Sequence, residues 1–316
     1  MRLTRSLPTP LSALAVLALA GGLVTATGPL VAASAATSTC EVAAPGALQV
    51  RARPGATVAE PALSTSTSDL LAGLVGGPRS APGSIHVPTW VHVIRTGDGR
   101  ANGELTATDV ARQMSALNAA FAGTGDAVRK GTPTPFVFDL EGTTDTVNAA
   151  WYEMLPGSKA ERDAKSALRR GGKQTLNIYL TGLGGGLLGY AYFPTTGQGK
   201  NTADGVVILN ESIPGGAVTV YDEGDTAPHE IGHWLGLYHT FQNGCSTAND
   251  RVADTPAEAT PTSGCPTDPK DTCLKDTGLD PVENFMDYSY DRCMYTFTPG
   301  QSDRMDAVWQ RYRAVG

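Results

Sequence analysis

His229-Glu230-Ile231-Gly232-His233-Trp234-Leu235-Gly236-Leu237-Tyr238-His239 holds three of the five histidines in the chain, and its spacing decides how the rest is read. On an α-helix, residues four apart share a face about 5–6 Å from each other. His229 and His233 can therefore both aim ring nitrogens at one zinc ion, at about 2.0–2.1 Å. Glu230 lies one residue round from the first histidine. It is too far for direct coordination but can reach a water at the metal, the position of a general base. Gly236 can adopt positive φ, end the helix and swing the chain back, so that His239 approaches from outside the helix. Three protein ligands leave a fourth zinc position open, which separates a catalytic site from a closed structural one. A bare His-Glu-x-x-His arises by chance on ordinary helices; the extended form with glycine and a third histidine is far more specific.

The N-terminal residues 1–36 have the anatomy of a secretory signal peptide. Arg2 and Arg5 supply charge, Leu11 to Val24 an apolar run, and Ala33-Ser34-Ala35 a small-x-small cleavage site. Gly21, Gly22, Thr25, Thr27 and Pro29 interrupt the run before it reaches the roughly 20 residues needed to span a bilayer. A secreted protein with no membrane attachment after cleavage is expected.

Residues 37–84 shift to Ala, Pro, Ser, Thr and Gly, a composition that buries too little surface to offset its ordering entropy. A largely irregular linker or pro-segment is expected. Cys40 is the only cysteine outside the C-terminal third. As a thiolate it could occupy the open zinc position and hold the protein latent; an unpaired thiol or an intermolecular bridge is the alternative.

From Ile85 the chain reads as one α/β domain, residues 85–316, with an upper part to His239 and a lower part from 240. Strands are expected at Ile85–Ile94, Phe136–Leu140, Val147–Leu155, Thr175–Leu180 and Val206–Leu209. Helices are expected at Leu105–Phe121, capped by Thr106 or Thr108, and at Ser158–Arg170, ended by Gly171-Gly172. His86 and His92 read as strand residues with ordinary partners. Gly182 to Gly189 has neither the lysine nor the strand-to-helix context of a phosphate loop. Leu187 to Pro194 reads as a loop entering an edge strand, which could hold an extended peptide by main-chain hydrogen bonds.

The formal charge of −7 includes +2 from the signal peptide and none net from 37–84, leaving −9 on residues 85–316. An acidic domain argues against nucleic acid as a partner and suits calcium. Cys245, Cys265, Cys273 and Cys293 form an even set, expected to make two disulfides by one of three pairings.

The zinc motif together with Met286 resembles the metzincin clan of zinc peptidases. Leu187-Leu188-Gly189-Tyr190-Ala191, Asp254-Thr255-Pro256, the four cysteines, Asn284-Phe285-Met286-Asp287-Tyr288, and Phe297-Thr298 with Gly300-Gln301 are similar to bacterial members of its pappalysin (cytophagalysin) family. The resemblance spans roughly residues 85–316 and is most specific in the C-terminal half.

It implies a metzincin-like α/β (α+β) fold: a twisted mixed sheet with a backing helix and the active-site helix above a cleft, and a loop-rich, disulfide-bonded lower subdomain. It implies zinc on His229, His233 and His239, with Glu230 as general base. Met286 would be a hydrophobic floor, and Tyr288 a donor to the oxyanion of the tetrahedral intermediate. It implies disulfides Cys245–Cys273 and Cys265–Cys293, and a structural calcium for which Asp250, Asp254 and the Thr255 oxygen are candidate ligands.

Asp291 and Arg292 would border the pocket for the residue after the scissile bond. An acid there favours basic side chains and an arginine opposes them, so the sequence does not decide between the two. The function expected is a secreted zinc endopeptidase, made as a zymogen and acting as a monomer on peptides bound extended along the cleft. The alternative is a zinc- and calcium-stabilised binding or adhesion module without useful catalysis. Glu230 and Tyr288 favour the first, since a binding module has no physical need for either.

Overall fold

In the computed structural model, residues 48–56, 79–126, 128–194 and 202–314 are described. Residues 1–36, expected to be a signal peptide, and Cys40 lie outside them. A six-stranded mixed sheet in the order β1-β5-β6-β4-β2-β3 is the frame. Its strands are β1 (Leu48–Ala52), β2 (Ile85–Arg95), β3 (Phe136–Val147), β4 (Leu176–Thr181), β5 (Leu187–Tyr192) and β6 (Val206–Leu209). The β3-β2-β4-β6 run is parallel, while β5 lies antiparallel to β6 and β1 antiparallel to β5.

Alternation along the strands builds two cores. Val87, Val91 and Val93 of β2, Ile178 and Leu180 of β4 and Ile208 of β6 face one way. They pack against Val110, Met114, Leu117 and Phe121 of α1 (Ala107–Phe121) and against Ile231 and Trp234 of the histidine helix. The α1 N-terminus carries the capping box expected at Thr106, closed by Asp109. On the other face Ile94, Tyr179, Tyr190, Val207 and Leu209 pack with Ala164 and Leu168 of α3 (Lys159–Leu168). Lys165 is buried there among the rings of Tyr179, Tyr190 and Tyr192, its charge met by Glu161 at 2.8 Å.

Two expectations change. Val147–Leu155 is not a strand. The strand that begins at Phe136 runs unbroken to Val147, and Asn148 then caps a single helical turn, α2 (Ala149–Tyr152), by accepting a hydrogen bond from the Ala150 N–H. The second change concerns Leu187–Tyr192. It is a strand but not an edge, because Leu48–Ala52, from the stretch expected to be irregular, is paired along its outer side. Five residues with little core-forming power of their own become a strand because β5 offers them an open ladder.

The histidine helix α4 (Thr226–Trp234) is buried along its whole length. Gly236 ends it at φ 93°, with its N–H on His233 O, and Leu237 N–H returns to Gly232 O. The C-terminal helix α5 (Pro299–Val308) and the wider turn Trp309–Arg313 clamp that terminus. Arg304 Nε donates to Gly236 O at 2.8 Å and Arg313 Nε to Trp234 O at 3.0 Å. These cations satisfy carbonyls that a helix C-terminus leaves without intrahelical partners. Below the helix the chain is loop-rich. Among the described residues no helix is long and apolar enough to cross a membrane.

Candidate active site

The Nε2 atoms of His229, His233 and His239 lie 3.0–3.2 Å from one another, all three rings fully buried. Ligands about 2.0–2.1 Å from one tetrahedral centre stand roughly 3.3 Å apart, so the triangle fits a single zinc ion. Two of the rings are oriented from behind. His229 Nδ1–H donates to Phe285 O at 2.6 Å and His233 Nδ1–H to Leu237 O at 2.8 Å. Those bonds fix the tautomer that leaves Nε2 unprotonated toward the centre. Burial first, and the neighbouring histidines second, push His229 and His233 well below the ordinary imidazole range, which keeps them neutral as metal ligands must be. The one other grouping of metal-type side chains among the described residues, Cys245, Cys273 and Asp276, has its two sulfurs joined to each other.

Met286 floors the site. Its Sδ lies so close to Gly232 that a Cβ there would stand 2.4 Å from the sulfur, so glycine is required for the α4 backbone to sit on the thioether. Asn284 shapes the turn: its Oδ1 accepts from Met286 N–H, and Thr240 N–H, next to His239, donates to Met286 O.

Glu230 is fully buried, its side chain against Gly189 of β5, where a Cβ would meet Glu230 Cγ at 2.7 Å. Tyr288 stands beside the histidine triangle, its ring edge-on to that of His239 at 5.0 Å and tilted against that of His229 at 5.8 Å. Its hydroxyl donates to the carbonyl of Val50, in β1, at 2.5 Å. Glu230 and Tyr288 thus stand on opposite sides of the place where β1 crosses.

The next residue of β1, Arg51, was not singled out by sequence reasoning. It is fully buried. Its Nη2 donates to Ser289 O at 3.0 Å and meets Asp291 Oδ1 at 3.3 Å, and the guanidinium lies over the Tyr221 ring. Asp291 Oδ2 accepts from the N–H groups of Glu223, Gly224 and Asp225, just ahead of α4. Arg292 turns the other way, onto the Tyr290 ring. Of the two side chains, Asp291 is the one turned toward Arg51. The signal that could have pointed to Arg51 is a charged residue inside the short apolar run Leu48-Gln49-Val50-Arg51, within an otherwise small-residue stretch.

Disulfides join Cys245 to Cys273 and Cys265 to Cys293. Of the residues considered for calcium, Asp254 has its carboxylate turned to the α5 N-terminus, where Thr298 Oγ1 and Gly300 N–H donate to it. Asp250 is buried with one oxygen on Val252 N–H, and burial lifts it to about 7. The side chains of Thr255 and Gln301 hydrogen-bond to it and oppose that rise.

Six strands of mixed direction above a helix that carries His-Glu-x-x-His, closed by a third histidine and a methionine floor, define a metalloprotease of the metzincin type. Residues 172–310 match the profile of the peptidase family described as pregnancy-associated plasma protein-A. An extracellular metalloprotease of Podospora anserina is 45% identical over 233 residues, covering 73% of this chain and 75% of its own. One from Neurospora crassa is 44% identical over 241 residues, covering 75% and 79%. Among solved structures, mature mirolysin of Tannerella forsythia in complex with a cleaved peptide is 32% identical, with a TM-score of 0.59 over 70% of this chain and 90% of that one. Promirolysin of the same organism is 29% identical, with a TM-score of 0.64 over 79% and 87%. The chain belongs to this pappalysin family, and it is an extracellular metalloprotease.

Proposed function

We propose that the protein is a zinc endopeptidase made as a zymogen, which cleaves extended peptides ahead of basic residues. The observation that carries this is the convergence of three Nε2 atoms with Glu230 and Tyr288 around one stretch of extended chain. Zinc held by His229, His233 and His239 would supply a water of lowered pKa and polarise the substrate carbonyl. Glu230 takes the proton of the attacking water and returns it to the leaving nitrogen. Tyr288 donates to the carbonyl oxygen, and that hydrogen bond strengthens as the oxygen gains charge. The peptide lies as an added strand on β5, with Gly189 leaving room for Glu230. A guanidinium in the position of Arg51 finds a carboxylate, a carbonyl and an aromatic face, which supports a preference for arginine.

Latency in this reading comes from Leu48–Ala52 filling the cleft, with Cys40 as a second block at the metal. A structural calcium, if bound here, would take Asp250 and Thr255 in place of their mutual hydrogen bond; Asp254 joins only by giving up Thr298 and Gly300.

Casein is the test substrate, with the Arg51→Ala chain, in which the filled cleft has lost its anchor. Degradation that stops on chelation and returns with Zn2+ is expected. An Arg51→Ala chain that binds zinc but cleaves nothing would overturn the reading.

A further inference from the structure

We propose that the Asp303–Asp306 face of α5 is a docking site for a new N-terminus of this same chain, made when an arginine-specific protease cuts after the exposed Arg79 and frees Ser80 as an α-ammonium. The proposal goes beyond the peptidase reading and does not depend on it. The site lies on the C-terminal helix, away from the histidines, and the cut follows a basic residue.

The seat is already formed by the uncut chain. Ser80 N–H donates to Asp306 Oδ2 at 2.7 Å and Ser80 Oγ to Asp306 Oδ1 at 3.1 Å, so one buried carboxylate holds one residue by two atoms. Gln310 Nε2 also donates to Asp306 Oδ1, at 3.2 Å. Beyond Ser80 the backbone is tied to the body of the molecule, with Gly83 N–H on Thr134 O at 3.1 Å and Ile85 N–H on Pro135 O at 2.7 Å. Arg79, one residue earlier, is 71% exposed and pairs with Asp303. The charges here do not balance: Asp303 and Asp306 of α5 and Asp254 of the loop before it stand near the single guanidinium of Arg79. Burial raises the Asp303 carboxyl above its ordinary value, Arg79 opposes the rise, and Asp254 and Asp306 add to it. A groove of about 380 Å3 beside Ser80, lined by Pro82, Pro133, Pro299 and Ser302, leaves room for the water that an ammonium keeps.

The cut needs water alone. The hydroxyl of a water molecule adds to the Arg79 carbonyl carbon and the Arg79–Ser80 C–N bond breaks. The Ser80 nitrogen takes the other hydrogen of the water and the proton given up by the new carboxyl group. The products are an Arg79 carboxylate and a Ser80 α-ammonium. A neutral amide with one N–H thereby becomes a cation with three, beside the carboxylate that already held it. Charge-assisted hydrogen bonds of this kind are roughly twice as strong as neutral ones. The helix that gains the anchor is the one whose Arg304 holds Gly236 O at the end of α4.

The test uses the Glu230→Ala chain loaded with Zn2+, treated briefly with trypsin. Chains beginning Ser80-Ala81-Pro82 are expected by N-terminal sequencing. An Arg79–Ser80 bond that survives while other sites are cut overturns the proposal. The Ser80 amine of the cut chain is then acetylated with acetic anhydride at pH 7 and counted by mass spectrometry. An ordinary α-amine titrates at about 7.7–8.0, and a carboxylate in contact raises it by about one unit or more. Acetylation should therefore be at least about tenfold slower than in the cut Asp306→Asn chain. Equal rates overturn the proposal.

A second measurement needs no change at Asp306. With its folded value raised, the α-amine contributes stability that is full below about pH 7.7 and is lost as pH rises through the folded value, above about 9. Arg79 does not titrate in this range. The melting temperature of the cut chain, taken relative to the uncut, should fall between pH 7 and pH 10. A difference that stays constant with pH overturns the proposal.

Discussion

The Arg51 guanidinium and the Asp291 carboxylate meet 3.3 Å apart with neither side chain exposed, although 240 residues separate them. Asp291 is held for this contact by three backbone N–H groups ahead of α4, so the pocket acid and the metal helix share one support. Buried ion pairs are costly to leave half-made. Replacement of Asp291 by asparagine keeps the shape and removes the charge. Discrimination between peptides with arginine and with leucine after the scissile bond should fall by about 10–100-fold, or roughly 1.4–2.7 kcal/mol, read as a ratio of kcat/KM values. An unchanged ratio would mean that Asp291 does not read the side chain.

Gly232 and Met286 give a prediction about the floor. A methyl at 232 must displace the thioether sulfur, because the Cβ would stand 2.4 Å from it. Overpacking of this kind costs typically about 1–3 kcal/mol. Gly232→Ala should lower the melting temperature and weaken zinc binding in titration, while Gly232→Ala with Met286→Ala should recover part of the loss.

The lower part of the molecule carries a pH dependence. Burial lifts Glu258 to about 7, with Asp287 nearby adding to the rise; the Thr240 and Thr262 hydroxyls oppose it, and Lys270 lies 3.6 Å away. Asp287 is itself lifted by burial to about 6. Both folded values lie above those of the unfolded chain, near about 4, so the folded state holds the proton more tightly. The stability this contributes is full below about pH 4 and is lost as pH rises through 6 and 7. Melting temperature should therefore fall between pH 5 and pH 8, and Glu258→Gln should lose less over the same interval. An equal loss in both would remove Glu258 as the cause.

Metal removal should act on stability as well as on turnover. Zinc binds the assembled triangle and not the unfolded chain, so at about 1,000 times its dissociation constant it adds about 4 kcal/mol. Thermal unfolding with and without a chelator should separate clearly in the wild type and coincide in His239→Ala.

The helix from His229 to Trp234 was legible because its information is local: ligands four apart, a base beside the first, a glycine to turn the chain. The same holds for α1, where Thr106 and Asp109 close a cap three residues apart. The methionine turn and the cysteine pairing became legible through resemblance, since spacing alone left three pairings open. What could not be read was set by distant partners. Leu48–Ala52 is a strand only because β5 lies beside it, about 140 residues later. The directions in which Asp291 and Arg292 turn are set by backbone N–H groups at 223–225 and by the Tyr290 ring, which no local pattern announces. Val147 looked like a strand start because the polar, half-exposed Thr143–Thr146 stretch hides the continuity of β3.

The most direct measurement is made on Glu230→Ala in the Arg51→Ala chain, with zinc counted by mass spectrometry and casein cleavage followed in the same sample. One zinc per chain with turnover lowered by at least about 1,000-fold is the result expected of a residue that moves the proton but does not hold the metal. Full turnover with zinc bound, or loss of zinc together with turnover, would contradict that role.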